Sequence, residues 1–115
     1  MAVIDWEQFN ENFQYYDKSI ITEVIDIFFD EYDDRIANLQ KNIDENDFNA
    51  LSFNAHSLKS VISNYMAPIP FEFCRKLEEL GKNNSQDGIQ TVFLELKRTT
   101  QELLSELKDY VEKLE

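Results

Sequence analysis

Val92-Phe93-Leu94-Glu95-Leu96-Lys97-Arg98-Thr99-Thr100-Gln101-Glu102-Leu103-Leu104-Ser105-Glu106-Leu107-Lys108-Asp109-Tyr110-Val111-Glu112-Lys113-Leu114 is the stretch whose period decides the fold. Phe93, Leu96, Thr100, Leu103, Leu107, Tyr110 and Leu114 recur in steps of three and four, and the charges fall on the other face, so the stretch is a long amphipathic helix. The same rhythm runs through Ile21, Ile25, Phe28, Tyr32, Ile36, Leu39 and Ile43, with Val24, Ile27 and Phe29 widening the stripe. Two further helices are expected between them. One covers about residues 47 to 65, with Asn46 or Asp47 as its cap. The other starts near Pro70, turns Phe73, Cys74, Leu77 and Leu80 inward, and stops at Gly81. Asp5 and Gln8 resemble a capping box ahead of Trp6, Phe9 and Phe13, which predicts a short helix over residues 5 to 15 that covers one end of the bundle. The expected fold is all-α, an antiparallel up-down four-helix bundle with a short additional N-terminal helix, in one domain over residues 1–115. A heptad as regular as the last one also suits an intermolecular coiled coil, but the other helices offer apolar stripes for it in cis, and a monomer is the expectation.

Composition narrows the function. The 115 residues hold 23 Asp and Glu against 11 Lys and Arg, a net charge of −12. Such a chain repels phosphate backbones and anionic lipid, so neither nucleic acid nor membrane is an expected partner. One Cys and one His exclude an internal disulfide and any zinc site built from several Cys or His ligands. The segment Met1 to Trp6 has no basic stretch followed by a long apolar one, and no apolar run is long enough to span a bilayer, so a cytoplasmic location is expected.

The one histidine, His56, lies on the third helix. On a wheel of about 100° per residue, Phe48, Ala50, Leu51, Ala55, Leu58, Val61, Ile62 and Tyr65 form a core arc opposite it. Asn49, Ser52, Phe53, Lys59, Ser60 and Ser63 fall within about 60° of it, which puts His56 in the middle of the exposed face and Lys59 on the solvent side. Its neighbours at i−4, i+4 and i+7 are serines, short enough for a second protein to approach. From Phe48 through Phe71, 24 residues, there is no Asp or Glu, so the only charged side chain expected near His56 is a cation, Lys59. An imidazole in water titrates near pH 6.5 and is a nucleophile at neutral pH without a dedicated base. Lys59 and the serine hydroxyls suit a phosphoryl electrophile, whose oxygens a neighbouring carboxylate would repel. Hydrolysis is supported less, because no carboxylate lies near in sequence to orient the ring, although folding can bring a distant one there. A metal site lacks ligands on this face. Phe53 is read as an apolar anchor for a partner, or else as an aromatic packed on the first helix. Cys74 is read as a small buried hydrophobe. The acidic run Asp30-Glu31-Tyr32-Asp33-Asp34 is read as a solvated face.

His56-Ser57-Leu58-Lys59, followed by Asn64, Ala67, Cys74 and Leu77-Glu78-Glu79-Leu80-Gly81, resembles the signature of histidine-containing phosphotransfer (HPt) domains. Phe28 and Asp47 sit where that family tends to have them, and the resemblance spans about residues 17 to 84. It implies a helical phosphorelay intermediate, a phosphocarrier without turnover of its own. His56 would accept a phosphoryl group at Nε2 from a receiver-domain aspartate and pass it to another, in response regulators or hybrid sensor kinases. Lys59 would steady the phosphate. Ser52, Phe53, Ser60 and Ser63 would meet the partner. No cofactor of its own is implied, and magnesium would be held by the receiver. Ser60 and Met66 stand where the family usually has Gly, and Val61 replaces a small polar residue. Of these only Ser60 is on the histidine face. The alternative is a helical adaptor, or a degenerate member of the family, that binds its partner without chemistry.

Overall fold

The computed structural model describes residues 2–114; Met1 and Glu115, the two ends of the unit expected over 1–115, lie outside the described residues. Five helices follow in order: α1 Trp6–Phe13, α2 Lys18–Asp44, α3 Phe48–Ser63, α4 Pro68–Lys82 and α5 Ile89–Leu114. Helices α2 to α5 form the bundle, with α3 between α2 and α4, and α5 closing the ring between α4 and α2. The short connections 45–47, 64–67 and 83–88 make successive helices antiparallel.

The core follows the stripes in the sequence. Ile21, Ile25, Phe28, Tyr32, Leu39 and Ile43 of α2 and Phe93, Leu96, Leu103 and Leu107 of α5 are buried, so the terminal heptad packs into the bundle core as far as Leu107. Ile27 does not widen the stripe, because its position on α2 faces solvent and leaves it about half exposed. The polar member of the α5 stripe has a partner of its own kind. Thr100 Oγ1 donates to the Leu96 carbonyl at 2.7 Å and accepts from the Tyr32 hydroxyl at 2.6 Å, so both groups are satisfied inside the core.

Helix α1 covers one end of the bundle, as its pattern implied. Asp5 caps it through the Gln8 amide and donates its own backbone N–H to the Met66 carbonyl at 2.7 Å. Trp6 stacks on Tyr110 of α5 at 5.5 Å, and Phe9 meets the same ring edge-on at 4.8 Å. Val3 N–H, just before α1, donates to Glu106 of α5 at 2.7 Å.

Gly81 does not stop α4. The helix runs on through Lys82, and Asn84, at φ +50°, takes the left-handed position after it. A Cβ at Gly81 would lie 2.8 Å from the Ser52 amide nitrogen and 2.9 Å from the Phe48 carbonyl oxygen, both backbone atoms of α3. Gly81 therefore sets how closely α3 and α4 approach, one turn beyond Glu78. We expect Gly81→Ala to cost about 2 kcal/mol, overpacking outweighing the gain in helix propensity. Thermal melting would show it as a Tm lower by roughly 10 °C. An unchanged Tm would mean that the two helices separate freely.

Candidate functional site

Asp47 caps α3 through the Ala50 amide at 3.1 Å and so fixes the register of the helix that carries the histidine. Leu51, Ala55, Leu58 and Ile62 face the core, which turns His56 outward with its side chain 60% exposed. Phe53 is 75% exposed, so it is not an aromatic packed on α1. Ser60 and Ser63 are exposed and Ser52 is half-buried. His56, Phe53, Ser52 and Asn49 line a surface cleft of about 520 Å³ with Glu78 and Lys82 from α4.

The two serines that follow His56 on its face do not offer free hydroxyl protons. Ser60 Oγ donates to the His56 carbonyl at 3.1 Å and Ser63 Oγ to the Ser60 carbonyl at 2.6 Å. Their contribution to this face is small size.

The expectation that only a cation neighbours His56 is overturned by α4. Close packing at Gly81 sets Glu78, whose side chain is only 6% exposed, against the histidine face. Glu78 Oε2 lies 3.1 Å from His56 Nδ1 and 3.0 Å from Lys82 Nζ, while Oε1 lies 2.6 Å from Lys59 Nζ. Burial pushes the Glu78 carboxyl up, but the Lys59 and Lys82 ammoniums and the His56 N–H beside it outweigh that and hold the group down at about 2. Since its folded value lies below the ordinary one, Glu78 stabilises the protein above about pH 4.5, and that contribution is lost as pH falls from there towards 2.

An ionised carboxylate can only accept, so Nδ1 of His56 carries the ring proton. Nε2 of the neutral ring then holds the lone pair, and it makes no hydrogen bond among the described residues.

Lys59 is not on the solvent side. Its side chain is 21% exposed, and its ammonium lies 6.0 Å from the centre of the Phe71 ring and is paired with the buried Glu78. The α3 wheel alone could not show this, because α4 packs over that flank of α3. Glu78 carried a signal of its own: it shares a stripe with Cys74, Leu77 and Gly81, the buried side of α4. An acid on a core stripe calls for cationic partners. Met66, where the resemblance expects Gly, sits at φ +55°, the left-handed region that favours Gly. Cys74 is fully buried and burial pushes its thiol up to about 12, so it packs as a hydrophobe. Asp30, Glu31, Asp33 and Asp34 form a solvated face around the buried Tyr32.

The bundle thus exposes one imidazole on α3, paired with a buried carboxylate from α4 and flanked along its own helix by serines. The Hpt domain family model matches residues 23–115, nearly the whole chain, and the chain belongs to that family of histidine phosphotransfer domains of two-component signalling. No curated protein and no solved structure matches it significantly. No helix among the described residues is long and apolar enough to cross a membrane.

Proposed function

We propose that this protein is an intermediate in a multi-step histidine-to-aspartate phosphorelay, with His56 as the residue that carries the phosphoryl group. The observation that carries the reading is the His56–Glu78 pair: a side chain mostly in solvent, with Nδ1–H donated to an ionised carboxylate and the lone pair left on Nε2. In the acceptance step that lone pair attacks the phosphorus of a receiver's aspartyl phosphate. The Nε2–P bond forms as the acyl O–P bond breaks, and the receiver's carboxylate leaves with the electron pair. The ring becomes cationic and keeps its Nδ1 proton, opposite Glu78, which stabilises that charge. Transfer to a second receiver is the same step reversed.

The receiver brings the magnesium and the catalytic groups, and this chain supplies a positioned nucleophile without turnover of its own. Phe53 gives the partner an apolar contact beside His56, while Ser52, Ser60 and Ser63 leave room for its approach. The cations around Glu78 offset the carboxylate charge near the incoming phosphoryl oxygens.

The test is incubation with a receiver domain phosphorylated on its aspartate. The wild-type protein is expected to take up acid-labile, alkali-stable label within minutes. Absence of label with receivers of the same signalling system would overturn the relay reading and leave an adaptor.

A further inference from the structure

We propose that Lys82, rather than Lys59, touches the phosphoryl group carried on His56, and that Lys59 is the fixed counter-charge of Glu78. This rests on the reading of His56 as a phosphoryl carrier and adds to it the residue that receives the anion.

The two oxygens of Glu78 are held differently. Oε1 is fully buried and has no well-aligned hydrogen bond; its close partner is the Lys59 ammonium at 2.6 Å. Moving that ammonium out to a group on Nε2 would strand a buried carboxylate oxygen, one of the more costly changes a protein can make locally. The low exposure of the Lys59 side chain, with its ammonium over the Phe71 ring, also favours its staying in place. Oε2 has two partners, His56 Nδ1 at 3.1 Å and Lys82 Nζ at 3.0 Å. If Lys82 leaves, Oε2 keeps the imidazole N–H and the carboxylate keeps Lys59 as its counter-ion.

Lys82 is also the cation in the right place. It stands in the last turn of α4 with its side chain 65% exposed, and it lines the same cleft as His56, which Lys59 does not. The other nearby cations are committed: Arg75 to Glu72 and Glu79, and Arg35 to Ser57 and Glu31. A phosphoryl group brings close to two negative charges into this cleft. The exposed ammonium that shares an oxygen with His56 exchanges partners at least cost.

The test needs no receiver. Phosphoramidate phosphorylates histidine directly, the Nε2–P bond forming as ammonia leaves, and the bound phosphoryl group is then titrated by ³¹P NMR. A neighbouring cation favours the dianion, so removing it raises the midpoint. Lys82→Ala is expected to raise the midpoint by about half a pH unit while moving Tm by no more than about 2 °C, and Lys82→Arg to restore most of the shift. Lys59→Ala is expected to lower Tm by roughly 10 °C or more and to move the midpoint less than Lys82→Ala does. A midpoint unchanged in Lys82→Ala, or shifted more in Lys59→Ala, would overturn the inference. Wild-type protein that takes nothing from phosphoramidate would overturn the carrier reading together with it. Protein that is labelled and titrates as expected, yet takes nothing from phosphorylated receivers, would support the Lys82 contact and overturn the relay alone.

Discussion

His56→Gln is expected to take up no label at all from a phosphorylated receiver, a loss limited only by the detection threshold, while its Tm stays within about 2 °C of wild type. The two halves of this expectation come from different links. The chemical half follows because an amide has no lone pair of comparable nucleophilicity, and the sequence holds no second histidine. The structural half follows from exposure: the His56 side chain lies mostly in solvent, and the Gln amide can still donate to Glu78 Oε2. Residual acid-labile label in this variant would place the phosphoryl group elsewhere. A large fall in Tm would mean that His56 is structural.

The second large effect is expected at Glu78. In Glu78→Gln the shape is kept but the acceptor is no longer obligatory, because the amide can present its NH₂ to Nδ1. The ring proton then moves to Nε2, and a protonated Nε2 does not attack phosphorus. The variant also loses the charge that stabilises the cationic ring. We expect acceptance of label to slow by about 10- to 100-fold, measured as the initial rate at fixed phosphorylated receiver. Folding should suffer less than in Glu78→Ala, which leaves the part-buried Lys59 ammonium without any acceptor. A rate within about twofold of wild type in Glu78→Gln would show that Nδ1 needs no carboxylate, and that the pair is structural.

The parts of the fold that were legible in the sequence are those that depend on one helix at a time. The stripes of α2 and α5 gave their buried faces because a period of 3.6 is a property of the segment itself. The wheel of α3 placed His56 and Phe53 outward for the same reason. What the wheel missed belongs to pairs of helices. Glu78 lies 22 positions after His56 and arrives through the packing of α4, so a search for acids along the histidine helix could not find it. The wheel puts Lys59 in solvent for want of the same helix. Gly81 reads as a helix stop, since sequence alone does not distinguish a glycine needed for backbone freedom from one needed for lack of a side chain. The 2.8 Å approach of the Ser52 backbone assigns it to the second kind. That close approach and the carboxylate beside His56 are one feature: the glycine lets α4 come near enough for Glu78 to reach the imidazole.

The central claim is that Glu78 fixes the ring proton on Nδ1 and so makes Nε2 the atom that carries the phosphoryl group. Long-range ¹H–¹⁵N NMR of the protein, labelled with ¹⁵N and phosphorylated by its receiver, tests it most directly, because the coupling pattern distinguishes the two ring nitrogens. Phosphorus on Nε2 of His56, with Nδ1 still protonated, is the predicted result. Phosphorus on Nδ1, or on any other side chain, would contradict it.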